Sequence, residues 1–227
     1  MRIAELYKSV QGEGRLTGTE SIFLRVSGCN LRCGFCDTPY ASWQPEGEEL
    51  SLDTLRVRIE ALDCEHVVIT GGEPMLFADV VPLSHQLAAT GHHLTVETAG
   101  TCYLPVACHL MSISPKLANS TPSADAGRWR VRHEATRYAP EVQRRLCAEF
   151  DYQLKFVIDR RDDCEEVEEY LRNLPAIDRA RVYLMPQGTD APTLAATGSW
   201  LAEYCRERAY QFCPRRQIEW FGYSRGT

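Results

Sequence analysis

A chain of 227 residues with a formal net charge of −6 can bury one sizeable core, and nothing in its composition demands two domains. It is slightly short for a complete eight-fold α/β barrel, and its acidic balance argues against a general affinity for nucleic acid or for anionic membrane surfaces. No stretch reaches the apolar length of a membrane span, and the start, M-R-I-A-E-L-Y-K, lacks the apolar core of a signal peptide, so the expectation is a cytoplasmic protein.

Residues 1–21 form an N-terminal segment in which an alternating stretch (Ile3, Leu6, Val10) leads into Gln11-Gly12-Glu13-Gly14. Two glycines flanking a glutamate predict a tight turn with accessible backbone, either an ordinary hairpin turn or a ligand-binding one. The apolar run Ile22, Phe23, Leu24, Val26 reads as a strand and ends in C-N-L-R-C-G-F-C-D-T, from Cys29 to Thr38. Three thiolates spaced C-x3-C-x2-C are soft ligands suited to zinc, copper(I) or an iron–sulfur cluster. A structural zinc site closes with a fourth protein ligand, and the next candidates, Cys64 and His66, are far along the chain. One metal position is therefore open to a substrate or cofactor, as in a catalytic centre. The other seven cysteines are scattered singly and read as small buried hydrophobes in a reducing compartment.

Ser51 is a plausible N-cap for a helix running to about Leu62, and His66 to Thr70 is a buried-type strand ending in Gly71-Gly72-Glu73-Pro74. Glycines at the carboxyl end of a strand leave backbone groups accessible to a ligand, and Glu73 before a proline is held extended. A helix from about Ala78 to Ala89 closes at Gly91, the strand Leu94 to Glu97 ends in Thr98-Ala99-Gly100, and the strand Leu110 to Ser114 ends in Pro115-Lys116. Residues 117–134 are the least regular part of the chain and read as a mobile loop, with R-W-R-V-R inside them as a solvated basic face. A helix over about 140–150, the strand Tyr152 to Ile158, a helix reaching Leu174, the strand Arg181 to Met185 ending in Pro186-Gln187-Gly188, a helix from about Thr193 to Arg208 and an apolar segment Ile218 to Phe221 complete the chain. Lysine is scarce: of 25 basic residues only Lys8, Lys116 and Lys155 are lysines, so a compact ammonium has a purpose of its own where it occurs.

About six strands alternating with helices give parallel pairing and right-handed crossovers, best fitted by an α/β fold of the incomplete (β/α)6 barrel type in one domain, 1–227. The carboxyl ends of such strands share one face, so the cysteine loop, Thr70 to Glu73, Glu97, Ser114 with Lys116, and Gln187 are expected to converge on one pocket.

The cysteine loop combined with Gly71-Gly72-Glu73-Pro74 resembles the radical S-adenosylmethionine superfamily. Along nearly its whole length the chain is similar to one of its families, the 7-carboxy-7-deazaguanine synthases, through Q-G-E-G at 11–14, C-D-T at 36–38, T-G-G-E-P at 70–74, E-T-A-G-T at 97–101, S-P-K at 114–116 and the final R-G-T. The resemblance implies a [4Fe–4S] cluster on Cys29, Cys33 and Cys36, with S-adenosylmethionine chelating the fourth iron and yielding a 5′-deoxyadenosyl radical when an electron arrives. It implies conversion of 6-carboxy-5,6,7,8-tetrahydropterin to 7-carboxy-7-deazaguanine with loss of ammonia, an early step toward queuosine in transfer RNA. By the same resemblance Gly72, Glu73, Ser114, Pro115, Lys116 and Gln187 contact the cofactor. Val10, Gln11, Gly12, Glu13, Arg25, Thr70, Glu97 and Thr227 contact the pterin, and Thr38 ligates Mg²⁺. An electron donor such as flavodoxin or ferredoxin and a homodimer are also implied, with no nucleic acid and no membrane.

Two other readings compete. An activase that places a glycyl radical on a partner protein would use the same cluster but needs an open groove for a peptide. A non-catalytic metal or redox-sensing module would leave the glycine motif and the strand-end polar groups without a task.

Overall fold

In the computed structural model, which describes residues 1–226, β1 (Arg2–Val10) and β2 (Glu20–Val26) form an antiparallel hairpin around the Gln11–Gly14 turn. The short β3 (Glu48–Glu49) adds to the free edge of β1. Then α1 (Leu52–Glu60), β4 (His66–Gly71), α2 (Val80–Ala89), β5 (His93–Thr98) and β6 (Leu110–Ile113) follow in alternation. Two helices, α3 (Arg128–Arg137) and α4 (Pro140–Glu149), precede β7 (Tyr152–Ile158). Last come α5 (Arg161–Arg172), β8 (Val182–Pro186), α6 (Ala191–Arg208), β9 (Gln211–Phe212) and α7 (Arg216–Phe221).

The strands make one sheet in the order β3-β1-β2-β4-β5-β6-β7-β8-β9, parallel from β2 onward, and its two end strands do not pair with each other. The six full parallel strands are the six read from the sequence, so the architecture is the expected incomplete (β/α)6 barrel. Strand alternation sorts the side chains. Val67 and Ile69, Leu94 and Val96, Met111 and Ile113, Leu154 and Phe156, and Val182 and Leu184 belong to the apolar core, together with Leu55, Ile59, Leu83, Leu87, Val167 and Leu201 from the helices. The intervening positions Thr70, Glu97, Ser114, Lys155 and Gln187 line a cavity of about 520 Å³ on the other face.

Helix ends follow local chemistry. The Ser51 side chain accepts from the Thr54 amide at the start of α1, and Gly91 takes a positive φ of 94° just past α2. Residues 117–134 are not the irregular loop read from the sequence: single turns at 118–120 and 124–126 lead into α3. Apolar periodicity is absent there because the helix buries one side chain, His133, and that side chain is polar. The terminal apolar segment is helical too, as α7, and β9 is too short to stand out as a strand.

Candidate active site

The cysteine loop leaves β2 at Val26 and is fixed mainly through its backbone. Gly34 donates to the Ser120 carbonyl (2.9 Å), the Trp43 indole donates to the Cys33 carbonyl (3.1 Å), and the Arg32 amide donates to His133 Nδ1 (3.2 Å). Because Nδ1 accepts that bond, the neutral His133 ring carries its proton on Nε2, which faces Ser120 Oγ at 3.0 Å. Burial holds His133 down at about 4, in keeping with a neutral ring. Cys29, Cys33 and Cys36 are all unpaired, half-buried, and line the same cavity.

The chemistry of this donor set fits an iron–sulfur cluster. Burial pushes the Cys29 thiol up to about 12 and the Cys33 thiol to about 11, so these ligands need a strong local cation to become thiolates, which bound iron supplies. Among the described residues no three His, Cys, Asp or Glu side chains converge on a single ion. Three free thiols in one cavity, with no fourth protein ligand in their loop, suit a cubane with one open iron better than a closed structural zinc site.

The glycine turn after β4 is stitched onto this loop. Gly72 donates to the Val26 carbonyl (3.1 Å) and Glu73 to the Gly28 carbonyl (2.9 Å). A Cβ on Gly71 would lie 2.1 Å from the Val26 oxygen, and one on Gly72 2.1 Å from the Gly28 oxygen. The glycines are thus required by backbone contact between β2 and β4, and the two amides read from sequence as accessible are engaged inside the protein. Gly72 still lines the cavity. Glu73 does not: its carboxylate is fully buried and accepts from the Met75 amide (3.0 Å), Thr98 Oγ1 (2.7 Å) and the Ala99 amide (2.8 Å). Burial pushes this carboxyl above its usual range, and the three donors oppose that shift.

The remaining polar wall is a network of charges. Lys155 Nζ lies 2.6 Å from Glu13 Oε2 and 3.5 Å from Glu97 Oε1, and Thr70 Oγ1 donates to Glu97 Oε2 (2.8 Å). Arg215 reaches Glu13 (3.3 Å), the Gly188 carbonyl (2.6 Å) and Asp37, while Gln217 Nε2 donates to Glu13 (2.5 Å). Burial alone would raise the Glu13 carboxyl, but the Lys155 ammonium and the Arg215 guanidinium outweigh it and hold the group at about 2. Burial would likewise depress Lys155, yet Glu13 and Glu97 keep it above the usual lysine range. Arg25 donates to Glu5 (2.6 Å), which also accepts from Tyr40 (2.8 Å), so its guanidinium is oriented from behind at the cavity wall.

Most of the site residues expected from the sequence meet in this cavity: the three cysteines, Val10, Gln11, Gly12, Glu13, Arg25, Thr38, Thr70, Gly72, Glu97, Ser114, Lys116 and Gln187. Pro115 and Glu73 do not line it, and Thr227 lies outside the described residues. No sequence motif assigns a site role to Lys155, Arg215, Gln217 or Asp37, yet all four line the cavity. Lysine scarcity was the one available signal for Lys155. The others are placed by the C-terminal segment: the Arg216 amide donates to the Gly12 carbonyl (3.0 Å), Tyr223 to the Asp37 carbonyl (2.7 Å), and Arg225 lies 3.6 Å from the Tyr40 ring centroid. A Cβ on Gly12 would come within 2.2 Å of Gln217, so this glycine admits α7 to the site.

An open parallel barrel with a three-thiol loop at a strand end defines a radical SAM protein, and residues 24–114 match the model of the radical SAM superfamily. The chain is 47% identical to the 7-carboxy-7-deazaguanine synthase of Rhodopirellula baltica, over 99% of its own length and 88% of that protein's. It is 41% identical to the 7-carboxy-7-deazaguanine synthase of Halobacterium salinarum, over 95% and 88% of the two chains. The protein belongs to the 7-carboxy-7-deazaguanine synthase family. The crystal structure of QueE from Escherichia coli shares the fold, with a TM-score of 0.73 at 24% identity over 95% of this chain and 93% of that one. Membership brings a [4Fe–4S] cluster and S-adenosylmethionine as cofactors, and no helix of the described residues is long and apolar enough to cross a membrane.

Proposed function

We propose that the protein converts 6-carboxy-5,6,7,8-tetrahydropterin to 7-carboxy-7-deazaguanine with release of ammonia, in the cytoplasm and on the route to 7-deazapurines such as queuosine. One observation carries this reading: the free thiols of the cysteine loop and the Glu13–Lys155–Glu97 network line one cavity sized for small molecules. When bound, the cluster and S-adenosylmethionine supply the one-electron hydrogen-abstracting chemistry that protein side chains lack.

The chain's own part is to bind, orient and exclude water. Cys29, Cys33 and Cys36 hold the cluster. Gly72, Ser114, Lys116 and Gln187 border the S-adenosylmethionine site, and Glu73 acts on it through the turn that it braces, with Pro115 setting the direction of the chain between Ser114 and Lys116. Glu13, kept ionised by Lys155, and Glu97 accept from the donor edge of the aminopyrimidinone ring, with Thr70, Val10, Gln11 and Gly12 around it. Arg25, oriented by Glu5, pairs with the substrate carboxylate. The Thr38 hydroxyl would ligate Mg²⁺, a hard ion that takes oxygen ligands and keeps several waters. The C-terminal segment from Arg215 to Gly226 closes the pterin side, and the polar wall favours a small ring over the extended peptide an activase would need. A flavodoxin- or ferredoxin-type donor and a homodimer complete the reading.

Protein reconstituted without oxygen should cleave S-adenosylmethionine under reduction and form the deazaguanine acid from the carboxytetrahydropterin. Cleavage without that product would assign the site to another radical reaction. Failure to take up iron and sulfide would remove the radical chemistry altogether.

A further inference from the structure

Surface arginines in this protein are mostly neutralised: Arg56 pairs with Glu60, Arg58 with Glu48, Arg144 with Glu141, Arg145 with Glu149 and Arg179 with Glu168. Helix α3 is different. Arg128, Arg130 and Arg132 are exposed and, among the described residues, have no carboxylate partner. Four arginines against Asp125 and Glu134 leave residues 117–137 at +2, in a protein whose net charge is −6. The patch also has an apolar and aromatic centre. Val131 is 72% exposed, and Arg128 and Arg132 flank the Trp129 ring at 5.7 and 5.4 Å.

This patch adjoins the cysteine loop. Beneath Trp129 lies Arg32, its guanidinium 4.0 Å from that ring centroid and 6.0 Å from that of Trp43, and the next residue is Cys33. Gly34, on the other side of Cys33, is exposed and hydrogen-bonded to Ser120, at the start of the segment that leads into α3. We propose that α3 and the exposed edge of the cysteine loop form the docking face for an acidic protein carrying a low-potential one-electron cofactor. The inference rests on the radical reading above, since only chemistry that consumes an outside electron needs such a partner.

Unpaired positive charge around a small apolar centre suits a brief electron-transfer encounter, where area is small and electrostatic steering sets the on-rate. A long polyanion such as RNA would meet the same arginines but also the acidic remainder of the surface, and it would make no use of the neighbouring cysteines. The exchange itself is simple: the donor is oxidised by one electron, the cluster is reduced by one, and no bond or proton is transferred at the patch.

The test uses flavodoxin, an acidic flavin protein, as the probe. Its affinity for the cluster-loaded protein, measured by calorimetry at low and high salt, should weaken by about tenfold or more in Arg128→Glu/Arg132→Glu, with a flatter salt dependence. Arg206→Glu, an equally exposed arginine on α6, should leave that affinity unchanged. Dithionite-driven turnover should be the same in all three proteins, while the flavodoxin concentration needed for half-maximal turnover rises only in the double variant. Unchanged affinity in the double variant overturns the proposal. So does an equal loss with dithionite, or a loss confined to binding of a transfer-RNA hairpin. Failure of the unaltered protein to form product with either reductant would undo the pterin reading instead, leaving the affinity result intact.

Discussion

The cysteine wall of the cavity draws its three ligands from the eight residues between Cys29 and Cys36, whereas the charged wall joins Glu13 to Lys155 and Arg215 across 142 and 202 positions. The two walls also differ in completeness. The Cys29 and Cys33 thiols are raised by burial and need iron to ionise them, while Glu13 and Lys155 already neutralise each other. One wall is finished by its cofactor and the other by the fold. Substitutions in the first should therefore remove chemistry with little effect on stability, and those in the second should damage both.

The largest expected effect is Cys33→Ala. Iron and sulfide uptake and product formation should fall below detection, while the unfolding free energy of the metal-free chain, from urea titration, changes by no more than about 1 kcal/mol. A large loss of stability would mean that the cysteine wall is structural as well. Next is Lys155→Met, which leaves Glu13 buried without its closest cation and should destabilise the metal-free protein by about 3–5 kcal/mol. Adding Glu13→Gln should restore more than about 1 kcal/mol of that loss, and additive effects would show that the two groups are not coupled.

Acid provides a smaller perturbation of the same wall. A carboxyl held at about 2 instead of 4.5 contributes stability that is fully present above about pH 4.5 and is lost as pH falls toward 2. At 1.36 kcal/mol per pH unit this is about 3 kcal/mol, and Glu13→Gln should remove that part of the pH dependence in denaturant titrations between pH 5 and pH 3. An unchanged slope in the variant would locate the acid sensitivity elsewhere. The smallest effect is expected at Ser51→Ala, away from both walls. Loss of the α1 cap should cost about 1 kcal/mol in thermal unfolding and leave product formation alone.

The strand series and the cysteine loop were legible because each rests on a short pattern: four to seven apolar residues between turn signals, or three thiols at fixed spacing. Gly71-Gly72 was legible as a special place, although its glycines answer to the Val26 and Gly28 carbonyls rather than to an open backbone cradle. Glu73 was read as a ligand because it follows those glycines, and the same position sends its carboxylate inward to Thr98 and Ala99. Helix α3 escaped notice because its one buried residue is His133, so no apolar stripe marks it. Two of its exposed arginines, Arg128 and Arg132, read as a solvated face, flank Trp129, which stacks on Arg32 next to Cys33.

The sequence by itself determined the barrel of six strands, the thiol loop with its missing fourth ligand and the family to which the chain belongs, since periodicity and spacing are properties of neighbouring residues. Only the tertiary structure decided which charges meet. That Lys155 sits between Glu13 and Glu97, and that Arg215 ties Glu13 to Asp37 in the cysteine loop, follows from strand order and from the return of the C-terminal segment over Gly12. Coulomb interaction in a buried site depends on distance in space, and separation along the chain does not reveal it.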